Sequence, residues 1–303
     1  MKKNGLIKRS VVAGATLLTV ALLCSPAKAT FVDLGAAGDF AALALTGGID
    51  SSGPLGPNAA YTFNGNVGVA SSGQKFQASG SVSMPPDAKL YLHTGDTYNS
   101  SAPGVPQPQP QNATNDAFLT QARNDAFAAS NFASSLAATA TYGTINSNTT
   151  ISESATGNYV FNIGSINFSG DKTLMLSAPA GSTFTLNITG SIVLTSGSIL
   201  VSGGLTAADV LINYTGTNVV QFSGGGNTSQ VYGTILAPYA EVGLHPGFVA
   251  GSVIADKITL SSGGQIGGFT VVPEMNALFP LVGLAVAIGS TTILRHRKRA
   301  KNS

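Results

Sequence analysis

Asp209, Glu241, His245, Asp256 and Lys257 are the residues whose types and spacing come nearest to a reactive group in this sequence. Two carboxylates held on either side of a glycosidic bond can divide acid and base work between them. Glu241 and Asp256 lie fifteen residues apart, close to one turn of a coiled chain. The plainer expectation is that each of the five is a solitary, solvated turn residue. No Gly-x-Ser-x-Gly elbow, zinc-ligand spacing or phosphate-cradling loop accompanies them. His93 and His245 stand apart from other ligand types, and no Asp-rich calcium repeat occurs. The reading is a chain with no catalytic residues, no bound metal and no cofactor.

The elements that must carry these residues read as short strands. Apolar segments recur at 159–163, 174–176, 184–188, 191–194, 198–201, 210–214, 219–222, 231–236, 249–255 and 257–260. Gly-rich corners such as Gly203-Gly204, Gly224-Gly225-Gly226 and Gly263-Gly264 separate them. The stretch Gly233-Thr-Ile-Leu-Ala-Pro is echoed by Gly251-Ser-Val-Ile-Ala-Asp 18 residues later, and another step of 18 reaches Phe269-Thr-Val-Val. In that register Ala240 and Val242 align with Ile258 and Leu260. A period near 18–20 residues matches one turn of a β-helix, in which each coil buries a column of Ile, Val, Leu and Ala on its neighbours. A β-sandwich is the alternative, but its Asn-Gly and Asp-Gly hairpin signals are sparse here.

Residues 31–97 alternate short apolar runs with Gly, Asn and Ser turns. Pro103, Pro106, Pro108 and Pro110 make 98–113 an extended, exposed loop. Residues 114–140 then form the one long helix. Phe118, Ala122, Ala126, Ala129, Phe132 and Leu136 share its apolar face, Thr114 or Asn115 caps its start, and Gly143 lies just past its end.

Both ends read as sorting signals. Residues 1–29 have a basic start, an apolar run and Ala27-Lys28-Ala29, with cleavage expected after Ala29. At the other end, 277–294 is an uncharged apolar stretch long enough to span a bilayer, and Arg295, Arg297, Lys298 and Arg299 make a cytoplasmic stop. The formal charge of +2 misleads about the domain between them. Residues 30–273 keep five Lys or Arg against twelve Asp or Glu, a net of −7. That balance excludes nucleic acid as a partner, because no cation cluster remains to displace counterions. The only cysteine, Cys24, falls in the export segment, so the domain has no disulfide to rely on.

Val272-Pro273-Glu274, the span and the basic end together resemble the PEP-CTERM sorting tail at 271–303, with Met275 where a second proline is usual. That resemblance implies an exosortase-type processing enzyme as a partner, and membrane attachment before processing. The segment from Tyr232-Gly-Thr-Ile-Leu-Ala-Pro to Gly267-Gly268 resembles the choice-of-anchor A family of adhesin-like surface proteins. The whole of 30–270, from Leu34-Gly35-Ala36-Ala37-Gly38-Asp39-Phe40-Ala41 through the helix to Gly-Asn-Tyr-Val-Phe at 157–161, resembles the ice-binding-like β-helix family. That likeness implies an all-β, right-handed parallel β-helix with the helix packed alongside, so that Phe118, Phe132 and Leu136 face the solenoid.

Ice recognition calls for a regular array, commonly of threonine. Thr183-Phe184-Thr185 is one short instance, and Thr217, Thr228 and Thr234 read as out of register with it. A Ser, Thr and Asn surface suits weak, repeated contacts with hydrated glycans equally well. The expectation is a non-enzymatic cell-surface or matrix protein, with ice binding and a carbohydrate-active enzyme as alternatives.

Overall fold

A computed structural model describes residues 32–52, 60–224 and 229–267. Short strands are laid down coil by coil. β1 (Phe40–Ala44), β2 (Ile49–Ser51) and β3 (Tyr61–Phe63) are followed by β4 (Asn66–Val69), β5 (Lys75–Ala78) and β6 (Val82–Ser83). β7 (Leu90–Leu92) and β8 (Thr97–Ser100) lead into helix α1 (Ala113–Ser135). Coiling resumes with β9 (Ala140–Ile145), β10 (Thr149–Ser152), β11 (Asn158–Ser169), β12 (Thr173–Ser177), β13 (Thr183–Ile188), β14 (Ile192–Thr195) and β15 (Ser198–Ser202). It ends with β16 (Val210–Tyr214), β17 (Val220–Ser223), β18 (Ser229–Tyr232), β19 (Thr234–His245), β20 (Gly247–Ala250), β21 (Val253–Leu260) and β22 (Gln265–Ile266).

The pairing is parallel throughout and makes a β-helix, as the sequence implies. One wall is an eight-stranded sheet in the order β10-β12-β15-β18-β20-β22-β3-β6, and a 14-stranded sheet wraps the other sides. The order is not sequential. β21 pairs with β1 and β2, and β22 with β3, so the first coils continue the stack that the last coils end. The chain winds outward to β8, and α1 carries it back to the opposite end, where β9 begins. Geometry permits this return. Eight coils at about 4.8 Å stack to about 34 Å, and 23 helical residues at 1.5 Å rise span about the same length.

Alternation along each strand sends one residue inward and the next outward. Phe168, Leu194, Phe222, Leu244 and Leu260 form one inward column, in register across five coils and buried. A second core lies between α1 and the sheet, where Leu119, Ala122, Ala126, Ala129 and Ala133 cover Leu43, Leu211, Leu236 and Ile254. Small residues on the helix let it sit close to the sheet.

Several expectations need correction. The helix starts and ends earlier than 114–140. Asn112 caps it, its side chain accepting from the amides of Thr114 and Asn115. The chain is extended again at Leu136, and Gly143 falls inside β9. Phe118 stacks on Phe40 with ring centroids 5.4 Å apart, and Leu136 packs against the second core. Phe132, however, is 50% exposed and Leu119 takes the inward position, because 23 residues carry a fixed face gradually round the axis. The Pro-rich segment is not simply exposed. Pro108 bridges Leu90, Gln109 donates to the Leu90 carbonyl at 2.7 Å, and Val105 packs on the core. It covers the end of the solenoid, and its prolines add no amide to an open edge.

The period also differs. Ile235 pairs with Val253 as the echo requires, but a bulge between Ala237 and Glu241 shifts the register. Val242 therefore faces Ile258 and Leu244 faces Leu260. Central coils are longer, advancing 25 residues from Asn158 to Thr183 and 26 from Asn187 to Asn213. Gly233 divides the expected strand 231–236, whereas 253–260 runs unbroken through Asp256.

The segment 1–29, the tripeptide Val272, Pro273 and Glu274, the stretch 277–294 and its basic end lie outside the described residues. Among the described residues no helix is long and apolar enough to cross a membrane.

Candidate functional site

Four of the five residues considered for chemistry come together. Register places Glu241 beside Lys257, and Gly243 beside Thr259, on neighbouring strands β19 and β21. Their side chains point outward because Val242, Ile258 and Leu260 take the inward positions. Glu241 accepts from Lys257 Nζ at 3.1 Å and from the Thr259 hydroxyl at 2.7 Å. His245 Nδ1 lies 2.6 Å from Ser261 Oγ, and its Nε2 lies 3.4 Å from Thr259 Oγ1. One connected row therefore runs Lys257–Glu241–Thr259–His245–Ser261. Asp256 sits at the adjoining corner, where it accepts from the Thr46 hydroxyl. The sequence expectation of solitary turn residues is wrong for Glu241, His245 and Lys257, which strand register connects, while Asp256 is held at the neighbouring corner by Thr46.

Asp209 is elsewhere. It is buried in a short 3-10 turn, where it accepts from the Thr206 amide at 2.8 Å and the Thr206 hydroxyl at 2.7 Å, a local structural role. His93 lies at the other end of the helix, its Nδ1 3.7 Å from Asp116.

Electrostatics follow from partial burial. Desolvation lowers the His245 pKa below its ordinary value, and Glu241 pulls the other way. The imidazole is thus neutral at neutral pH and can donate through one nitrogen while accepting through the other. Burial, with help from Glu241, raises the Asp256 carboxyl, while Lys257 and Arg123 oppose that rise.

The row belongs to a wide polar face. Asn167, Val193, Gln221, Gly243, Thr259, Asp50, Gln77 and Asn99 form one outward column in register. Ser169, Thr195, Ser223 and His245 form the next. Thr195 and Ser223 hydroxyls lie 3.3 Å apart. The threonines that suggested an array are not on this face. Thr185, Leu211 and Thr234 are in register with one another, contrary to the sequence reading, but buried beneath α1. Thr183 donates to Asn158 at 2.8 Å. Thr217 is in an exposed loop, and Thr228 lies outside the described residues.

A cleft of about 290 Å³ opens beside the C-terminal end of α1, lined by Ser134, Thr141, Tyr142, Asn162, Asn187 and Thr215 among others. Its amides are largely structural. Asn187 donates to the Ala133 carbonyl at 2.8 Å, and Asn213 donates to Asn187 at 2.9 Å. Sequence reasoning missed this ladder of Asn162, Asn187 and Asn213. Its steps of 25 and 26 residues were visible, but the period had been taken from the shorter echo.

Together the coils and their polar face define a parallel β-helix with a helix along one side. The chain belongs to the family described as a putative ice-binding-like adhesive domain, which matches residues 19–267. Among solved structures, it is similar to an antifreeze ice-binding protein from an Arctic yeast, with 17% identity, 80% of this chain and 97% of that chain covered, and a TM-score of 0.53. It is also similar to an ice-binding protein from the Antarctic ascomycete Antarctomyces psychrotrophicus, with 21% identity, 78% and 97% covered, and a TM-score of 0.44. At such identities the likeness is one of fold. No curated protein matches the chain.

Proposed function

We propose that this chain is an exported, non-enzymatic protein of the cell surface or extracellular matrix that works in adhesion or exopolysaccharide association. The observation that carries this reading is the outer polar face, where Ser, Thr, Asn and Gln repeat in register from coil to coil. Such a face makes many weak hydrogen bonds to a hydrated polymer, and display of many copies multiplies them. The charged row lies on this open wall rather than in the cleft, which is lined by neutral side chains.

Export by residues 1–29 and sorting through Val272, Pro273 and Glu274 complete the proposal. In it the tail is a handle for an exosortase-type enzyme, and Arg295, Arg297, Lys298 and Arg299 hold it in the membrane until processing. Intact mass of the mature protein tests both cleavage sites. Incubation with the producer's own exopolysaccharide tests the function, with retention above an unrelated β-helix expected. No retention overturns it.

Ice binding is the second reading, supported by the family description and the parallel, regularly stacked wall. The burial of Thr183, Thr185 and Thr234 weighs against it. A thermal-hysteresis measurement on the same sample separates the two.

A further inference from the structure

The polar wall meets α1 at a corner whose chemistry differs from the rest. The bulge in β19 turns Tyr239 outward, leaving it 44% exposed. Its ring lies 5.5 Å from that of Phe127 on α1, tilted by 54°. The Arg123 guanidinium lies over Phe127, 5.8 Å from the ring centre. Arginine, phenylalanine and tyrosine thus form a continuous shelf along the helix edge. Arg123 is near enough to Asp256 for its charge to act on that carboxyl, which Thr46 fixes. Glu241, two residues along β19 from Tyr239, is fixed by Lys257 and Thr259. Among the described residues no group hydrogen-bonds the Tyr239 hydroxyl, and no carboxylate lies within salt-bridge distance of Arg123.

A pyranose has an apolar C–H face and a rim of hydroxyls. An exposed aromatic ring satisfies the face, and neighbouring planar charged groups satisfy the rim with charge-assisted, often bidentate hydrogen bonds. The carboxylates here are pre-positioned by their own partners, which reduces the ordering cost of binding. Charge selects among sugars. Two carboxylates, Asp256 and Glu241, face two cations, Arg123 and Lys257, so the corner is neutral, and it sits on a domain of net charge −7. A polyuronate would meet the repulsion of that domain, and Asp256 and Glu241 would oppose its carboxylates at the site.

We propose that this corner, built from Tyr239, Phe127, Arg123, Asp256, Glu241 and Lys257, is a binding subsite for the neutral hexopyranose units of a polysaccharide. The proposal rests on the exopolysaccharide reading and gives it a location and a sugar class.

Native gels containing galactomannan, hydroxyethyl cellulose or polygalacturonate test it with the full mature chain. Retardation is expected in at least one neutral polymer and not in polygalacturonate. Tyr239→Ala should weaken that retardation by about tenfold, and Tyr239→Phe should keep most of it, because the ring rather than the hydroxyl does the stacking. Tyr239 is exposed, so the alanine variant should keep the wild-type melting temperature. Retardation in polygalacturonate, with or without a neutral polymer, or in no gel, overturns the sugar class, and equal retardation of Tyr239→Ala overturns the location. The producer's polysaccharide separates the two levels. Equal retention of wild type and Tyr239→Ala removes this subsite and leaves the exopolysaccharide reading standing. Loss of wild-type retention there, with no retardation in any gel, removes both.

Discussion

Ser130 and Asn213, 83 residues apart in the chain, bond each other in both directions. The Ser130 hydroxyl donates to Asn213 Oδ1 at 2.7 Å, and Asn213 Nδ2 donates to the Ser130 carbonyl at 3.1 Å. Both residues are fully buried. Asn187 adds a bond to the Ala133 carbonyl, which lies in the last turn of the helix and also accepts from the Leu136 amide at 3.3 Å. Side chains of the sheet therefore finish the C-terminal end of α1 and fix where along the solenoid it docks.

Asn213→Ala should lower stability by about 2–4 kcal/mol, since it strands a buried hydroxyl and removes an amide serving several acceptors. Urea denaturation read by circular dichroism measures this. A loss below about 0.5 kcal/mol, the size of an ordinary surface change, would mean the amide ladder does not hold the helix.

Gly251 explains half of the 18-residue echo. A Cβ there would lie 2.2 Å from the Gly233 carbonyl oxygen on the coil beneath. Backbone cannot rotate away as a side chain can, so the coils must part. Gly251→Ala is expected to cost about 1–3 kcal/mol. Gly73→Ala serves as comparison, because its added methyl meets nothing within 4 Å and only its φ of +78° opposes it. A melting temperature for Gly251→Ala equal to wild type would contradict the close stacking.

His245 should make stability depend on pH. Burial holds its pKa in the folded protein below the ordinary 6.5, so the unfolded chain binds the proton more readily. Its stabilising contribution is present above 6.5 and is lost as pH falls from there toward the folded value. Denaturation midpoints should drop as pH falls below the ordinary 6.5, and His245→Gln should flatten that fall. Asp256 is displaced in the opposite sense, so an Asp256→Asn background isolates the histidine. An unchanged slope in His245→Gln would assign the effect to another group.

Asn112 accepts from two amides at the first turn of α1. Asn112→Ala should cost about 1 kcal/mol, whereas Asn112→Asp should be close to neutral. Thermal melts of the three proteins decide it, and Thr114→Ala should have little effect. A larger loss from Thr114→Ala than from Asn112→Ala would restore Thr114 as the cap.

Much of the solenoid was legible from local properties. Strand periodicity, Gly corners and the Gly233–Gly251 echo reflect constraints between neighbouring residues or adjacent coils, and a β-helix repeats those constraints. The inward column through Leu244 and Leu260 follows from alternation, once the bulge at Ala237–Glu241 is known. That bulge was not legible, because one skipped pairing leaves no mark in composition. It shifts the pairing by two residues, and it is what turns Tyr239 outward.

The sequence by itself determined that the domain is β-rich, acidic between its ends, free of disulfides and equipped with one amphipathic helix. Those properties are sums or short-range patterns. Only the tertiary structure decided that the first coils stack on the last, since that pairing joins residues more than 200 positions apart through backbone groups common to every residue. It also decided that Glu241, Lys257, Thr259, His245 and Ser261 form one row and that Asp209 stands apart from it. Long-range register governs both, and register depends on where whole strands lie rather than on what any residue is.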